Sequence, residues 1–276
     1  MLITLTSHDW PALKPLLDAN PLETIFLSSR IERFGLDANR LGCPVLGVME
    51  RGQLVAAVHF GANLMAVGDP DALDEVIERV GPRTRTQSIL GSAVMVDRLY
   101  QGLLSRWGIG WAAVRDMRPH QPLMVWQRSW PLGAAPDARV RAMGEGDLES
   151  YFTAAVRMYT EEVGVSPLDP TNSYHGYVRY LVTNQRAFGA GDESGVWFKT
   201  DIGATYEHYC QIQGVWLEPS RRGAGLAESL MAGALALFNP HWSSVSLYVN
   251  DYNVRARAMY ARLGFQQVGE LATVLY

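Results

Sequence analysis

Apolar residues recur at helical spacing in four stretches of the second half of the chain. These are Ser150 to Glu162 (SYFTAAVRMYTEE), Asn172 to Thr183 (NSYHGYVRYLVT), Gly225 to Phe238 and Asn253 to Leu263. Gly164 stands where a C-cap glycine belongs, Asn239-Pro240 ends the third helix, and Gly264 stops the fourth. Between them, Ser194 to Ile202 and Ala204 to Leu217 read as strands meeting at a turn near Gly203, and Ser244 to Val249 alternates as a third strand. Gln267 to Tyr276 can supply one or two more. The predicted order is helix-helix-strand-strand-helix-strand-helix-strand.

The first half has a similar rhythm. Helices are expected over Trp10–Ala19, Thr24–Phe34, Asp71–Val80 and Ser92–Ser105, and strands over Val45–Glu50, Leu54–Phe60, Trp111–Arg115 and Leu123–Gln127. The stretch WPLGAAPDAR, Trp130 to Arg139, breaks the periodicity with two prolines and a glycine. It divides the chain into an N-terminal lobe (1–130), a linker (131–139) and a C-terminal lobe (140–276), and the shared rhythm suggests a diverged duplication.

Composition narrows the function classes. The chain has 276 residues, 48% hydrophobic and 19% charged, as expected of a globular protein with a sizeable core. A net charge of −4 gives no basic stripe for nucleic acid, so no nucleic-acid partner is expected. Lys14 and Lys199 are the two lysines among 24 basic residues, an excess of arginine that reads as codon usage. Two cysteines, Cys43 and Cys210, make neither a disulfide framework nor a thiolate metal site, and are expected as reduced, buried thiols. Six scattered histidines show no ligand spacing, so no metal is expected. The N-terminus MLITLTSHDW lacks the features of a secretory signal, and no apolar run is long enough for a membrane span. The expectation is a cytoplasmic protein with no membrane partner.

The stretch VWLEPSRRGAGLAESLMAGALALF, Val215 to Phe238, carries the first candidate chemistry. A strand, a turn with two glycines, and a helix start present backbone N–H groups and a helix dipole that suit a phosphate. The P-loop pattern GxxxxGK is absent. A dinucleotide fingerprint would need glycine or alanine where Glu228 stands. The run Arg222-Gly223-Ala224-Gly225-Leu226-Ala227 matches the pyrophosphate loop of the GNAT superfamily of acetyl-CoA-dependent acyltransferases.

Downstream, SLYVNDYNVRARAMYARLGF resembles the other half of that superfamily's signature, with Asn253, Ala256, Tyr260, Gly264 and Phe265 in its positions. Asn253, Ala256 and Tyr260 are spaced to share one helix face. On these two motifs the C-terminal half looks like a GNAT domain, and the whole chain resembles a two-lobe group with an N-terminal domain of unknown function. The resemblance implies an α/β (α+β) fold of two GNAT-like lobes, each a mixed, largely antiparallel twisted sheet flanked by helices.

It also implies site residues. Acetyl-CoA, as co-substrate, would be held by the backbone near Val215 and Leu217, by Arg222, Gly223, Ala224, Gly225, Leu226 and Ala227, and by Asn253, Ala256 and Tyr260. A main-chain N–H near Val215 or Leu217 would polarise the thioester carbonyl. A neutral amine would attack directly, through a tetrahedral intermediate, without a covalent enzyme intermediate. Tyr260 would protonate the departing thiolate. Among Glu161, Glu162, Glu207 and Glu218, Glu162 leads as general base, with a water chain as the alternative.

The first lobe lacks both motifs. The stretch TQSILGSAVMVDRL, taken as the counterpart of the glycine turn, offers Gly91 alone, so this lobe is expected to be a degenerate GNAT lobe. Trp107, Trp111, Trp126 and Trp130 are expected in the core or at an interface. The leading function is an N-acetyltransferase acting on a primary amine of a small molecule or peptide. The alternatives are a non-catalytic acyl-CoA-binding regulatory module and a dinucleotide-dependent oxidoreductase.

Overall fold

The first half folds, in chain order, into β1 (Leu2–Thr4), α1 (Trp10–Asp18), α2 (Pro21–Phe34), α3 (Ala38–Leu41), β2 (Val45–Glu50), β3 (Gln53–Phe60), β4 (Asn63–Gly68), α4 (Asp74–Val80), β5 (Ser88–Ser92), α5 (Ala93–Trp107), α6 (Ile109–Ala112) and β6 (Asp116–Gln127). The second half gives β7 (Arg141–Ala142), α7 (Leu148–Val163), α8 (Ser173–Thr183), β8 (Ala187–Asp192), β9 (Gly195–Tyr206), β10 (Tyr209–Leu217), α9 (Leu226–Leu237), β11 (Ser244–Tyr248), α10 (Val254–Arg262) and β12 (Gln266–Leu275). This computed structural model describes residues 1–276. Two compact units emerge. One comprises Met1–Met124, Tyr248–Tyr252 and Gln267–Tyr276, the other Val125–Leu247 and Asn253–Gln266.

In the first unit the strand order is β1-β2-β3-β4-β5-β12-β6. Strands β1 to β4 are antiparallel neighbours, whereas β4 and β5 pair in parallel at Asn63↔Ser88 and Leu64↔Ile89 alone. Alternate residues of β3 go to opposite faces, as a pleated strand demands. Ala56 and Val58 join a core with Leu73, Val76, Leu99 and Leu103, while Ala57 joins Leu13, Leu17, Leu27 and Ile31.

In the second unit the order runs from the end of β6 through β11, β10, β9 and β8 to β7. β8, β9 and β10 are antiparallel neighbours, and β10 pairs with β11 in parallel through the α9 crossover. Tyr151 and Ala155 of α7 pack with Val178, Leu181 and Val182 of α8, and Leu230 to Leu235 bury the middle of α9. Gly164 ends α7 in the left-handed conformation, as its position in the sequence predicts.

Several expectations need correction. Gly203 lies inside β9, and the hairpin turns instead at Glu207-His208, where Glu207 has φ +48°. Trp111 to Arg115 is no strand: Ile109–Ala112 form a helical turn whose buried Trp111 donates its indole N–H to the Gly81 carbonyl at 3.0 Å. Strands β1, β4, β5, β7 and β8 were not predicted. Both cysteines are free thiols. Cys210 is buried, but Cys43 is only half-buried, contrary to expectation. No helix is long and apolar enough to cross a membrane.

Candidate active site

Strand β10 is irregular where the sequence expects backbone contacts to a ligand. Its register with β9 slips between Gln213↔Asp201 and Trp216↔Lys199, so Gly214 and Val215 face one β9 residue, Thr200. Such a bulge rotates the local backbone and re-aims its polar groups. Gly214 has φ +59°, a conformation that L side chains adopt at a cost. Beside this bulge, β10 parts from β11. Their parallel ladder covers Tyr209↔Ser244, Cys210↔Val245 and Gln211↔Ser246, although β10 continues to Leu217 and β11 to Tyr248. Val215 and Leu217 are half-buried in this diverging segment.

The glycine turn follows. Gly223 and Gly225 have φ +80° and +72°, and a Cβ at either would meet nothing within 4 Å. Gly225 is the N-cap of α9, and no side chain caps this end. The first-turn N–H groups of Leu226, Ala227 and Glu228 are therefore the free donors of a helix N-terminus. Gly223, Ala224 and Gly225 are exposed, and Leu226 and Ala227 half-buried. Open space, free donors and the positive helix end together fit a phosphate group.

Arg222, expected among the acetyl-CoA-binding residues, makes side-chain bonds to its own chain. Its Nε donates to the Leu217 carbonyl at 2.8 Å and its Nη2 to Glu161 Oε2 at 2.8 Å. It ties the glycine turn to the end of α7. That hydrogen bond holds the Glu161 carboxyl below the usual range, helped by the Trp216 indole N–H at 3.1 Å. Glu161 is thus committed and is no candidate base. Glu218 sits between Arg157 and Arg221, each 3.6 Å away. Glu207 is exposed in the hairpin turn at the start of β10, remote along the strand from the glycine turn, so its expected place within a strand is wrong.

Helix α10 carries the second motif. Asn253 is its N-cap, with Oδ1 accepting from the Ala256 N–H at 3.2 Å. The carboxamide oxygen thus organises the helix, and the Asn253 amide NH2 takes no part in that cap. Ala256 is half-buried, and Tyr260 is buried with its ring edge-on to Phe265, centroids 5.7 Å apart. Burial, and then the negative charge of Glu162, push the Tyr260 phenol above its ordinary value. The same Glu162 charge is felt at Tyr174 on α8. The exposed Glu162, at the end of α7, is therefore brought into the electrostatic neighbourhood of Tyr260.

Sequence reasoning missed a polar group beneath these elements. Lys199 and Asp201 on β9 and Tyr151 on α7 are all buried, and they touch one another and Gly214. On α8, Tyr174 and Tyr177 add phenols within reach of the Asp201 charge, and Tyr177 is bonded to Gln213 of β10. A signal was present: Lys199-Thr-Asp201 puts two opposite charges on one face of an otherwise apolar strand. No group of three or more His, Cys, Asp or Glu side chains is placed to hold a metal.

The second unit thus joins a parallel strand pair that parts beside a bulge, a glycine turn at a helix start, and a buried phenol on the next helix. Residues 148–265 match the family model described as Acetyltransferase (GNAT) family, and residues 43–151 match one described as a domain of unknown function (DUF4081). The C-terminal lobe is a GNAT-family acetyltransferase domain, and a domain of unknown function precedes it. No curated protein matches the sequence. Among solved structures, a GNAT-family acetyltransferase from Colwellia psychrerythraea is similar at 15% identity and TM-score 0.56, over 100% of this chain and 99% of that one. A GCN5-related N-acetyltransferase from Sphaerobacter thermophilus aligns at 14% identity and TM-score 0.60, over 99% and 94%. A tandem GNAT protein from the clavulanic acid biosynthesis pathway aligns at 13% identity and TM-score 0.57, over 99% and 97%. At these identities the likeness is one of fold, here of two GNAT-like lobes.

Proposed function

We propose that this chain is an acetyl-CoA-dependent N-acetyltransferase with one working lobe, moving an acetyl group to a primary amine of a small molecule or peptide. The observation that carries the reading is the parting of β10 from β11 at a bulge, which opens directly onto the uncapped N-terminus of α9. The N–H groups of Gly223 to Ala227 would hold the pyrophosphate, and the Asn253 amide and the close surface at Ala256 the pantetheine arm. Acetyl-CoA supplies an activated acetyl thioester. The Val215 N–H would stabilise negative charge developing on the carbonyl oxygen. Glu162 would take a proton from the acceptor ammonium, directly or through water, and the buried Tyr260 hydroxyl would donate one to the sulfur. Neither cysteine has a role in this scheme.

Thermal stability tests the donor. Acetyl-CoA or free CoA at about 100 times its dissociation constant should stabilise the protein by about 2.7 kcal/mol, a rise of several degrees in Tm, whereas NAD and NADP should not move it. A rise with a nicotinamide nucleotide alone would overturn the reading. An amine screen following CoA release then separates an enzyme from a non-catalytic binding module.

A further inference from the structure

Twenty-four basic residues include two lysines, and one of them, Lys199, is fully buried. Burying an ammonium in a protein interior is costly unless every proton finds a partner. Here the partners are specific. Nζ donates to Asp201 Oδ2 at 2.7 Å and to the Gly214 carbonyl at 3.0 Å, and it lies 5.2 Å from the centroid of the Tyr151 ring. The other Asp201 oxygen accepts the Tyr151 hydroxyl. Asp201 and Tyr151 are buried too, at 3% and 0% exposure. A closed, charge-balanced unit thus grips β10 at the residue where its ladder with β9 slips.

The grip has a directional consequence. The peptide between Gly214 and Val215 is trans, as are all peptides in the chain. A trans peptide sets its C=O and N–H on opposite sides. With the Gly214 carbonyl fixed on the ammonium, the Val215 N–H must point away from it. The pocket around Gly214 is tight: a Cβ there would lie 2.7 Å from Asp201 Oδ2 and 2.8 Å from Lys199 Nζ.

We infer that Lys199, paired with Asp201 and Tyr151, is a positioning residue that sets the orientation of the Val215 N–H toward the thioester carbonyl. This rests on the acetyl-CoA reading above. It adds what the motifs do not contain: the donor's direction is fixed by a buried ion pair on the neighbouring strand.

The test reads the carbonyl itself. Isotope-edited infrared spectra of bound [1-13C]acetyl-CoA should show the carbonyl stretch of the native protein below that of free acetyl-CoA. The double variant Lys199→Met with Asp201→Leu removes both charges, so neither is left unpaired. It should still bind acetyl-CoA within a few-fold by calorimetry, while the stretch returns to the free position. Lys199→Gln with Asp201→Asn retains an N–H donor and should keep much of the shift. If the apolar double variant does not fold, Gly214→Ala, whose methyl displaces the ammonium, is read in the same way. A full shift in variants that have lost the Lys199–Gly214 hydrogen bond would overturn the inference and leave the acetyl-CoA reading standing. Failure of the native protein to bind acetyl-CoA would sink that reading, and this inference with it. With an acceptor in hand, the apolar variant should lose about 10²-fold in kcat with little change in KM for acetyl-CoA.

Discussion

Tyr260 and Glu162 lie on different helices, and the proposed transfer asks opposite things of them. The phenol must stay protonated until it donates. Burial, reinforced by the Glu162 charge, raises its pKa above the ordinary value of about 10, so it holds its proton across the working range. Its ionisation therefore adds no alkaline limb to the pH–rate profile below about pH 10. Tyr260→Phe should lower kcat by about 10²-fold or more while leaving acetyl-CoA affinity unchanged, as measured by steady-state kinetics and calorimetry. Unchanged kcat would leave Tyr260 a packing residue against Phe265. The residue scale also marks the limit of what the chain order displays. Asn253, Ala256, Tyr260 and the glycine turn were legible because each motif is local. The Lys199 contact to Gly214 was not, because it joins two strands through a bulge that no spacing rule encodes. The effect of the Glu162 charge on Tyr260 likewise depends on how separate helices pack.

At the scale of elements, the long helices and the strands β2, β3, β11 and β12 were read closely, whereas β1, β4, β5, β7 and β8 escaped. The apolar spacing of Ser150 to Glu162 lies within α7, and that of Asn172 to Thr183 almost coincides with α8, because a buried helix face repeats over several turns. β8, Ala187–Asp192, carries two glycines in six residues and shows no alternation that a short window can detect. Gly203 misled because glycine marks turns; here it makes room for the Gln213 side chain across the hairpin. The start of α10 permits a separation of roles. Asn253→Asp keeps a capping oxygen but loses the amide NH2, whereas Asn253→Ala loses both. The alanine variant should cost about 1 kcal/mol of stability in denaturant titration, and the aspartate variant far less. Both should weaken acetyl-CoA binding if the amide meets the ligand. If affinity follows stability instead, Asn253 serves the helix alone. The α7–α8 packing makes a further prediction. Burial first, then the Asp201 charge, raises Tyr174 and pushes Tyr177 up to about 12; Tyr151 is raised in the same way. In the unfolded chain these phenols ionise near pH 10, so the unfolded state releases protons first. Their contribution is present below about pH 10 and is lost as pH rises toward the folded values, so Tm should fall steeply above about pH 10.

Over the whole molecule the two halves of the chain repeat one order of elements with opposite electrostatics at the corresponding turn. In the second unit a strand, β10, leads through Arg221, Arg222 and two glycines into α9. In the first, β4 leads into α4 through Gly68-Asp69-Pro70-Asp71-Ala72-Leu73, with Asp74 and Glu75 opening the helix. This segment, and not TQSILGSAVMVDRL, is the structural counterpart of the glycine turn; the latter forms β5 and the start of α5. The Asp69 carboxylate already accepts the Asp71 N–H at 2.9 Å, and a row of acidic side chains opposes a phosphate at close range. The strands β4 and β5 part after two paired positions, so the backbone plan is shared while the charge at the turn is reversed. The expectation is one acetyl-CoA per chain. Titration calorimetry should give a stoichiometry of one, and Gly225→Val, which places a β-branched side chain at φ +72°, should abolish binding altogether. A second site surviving in that variant would show that the first lobe binds the ligand in spite of its acidic turn.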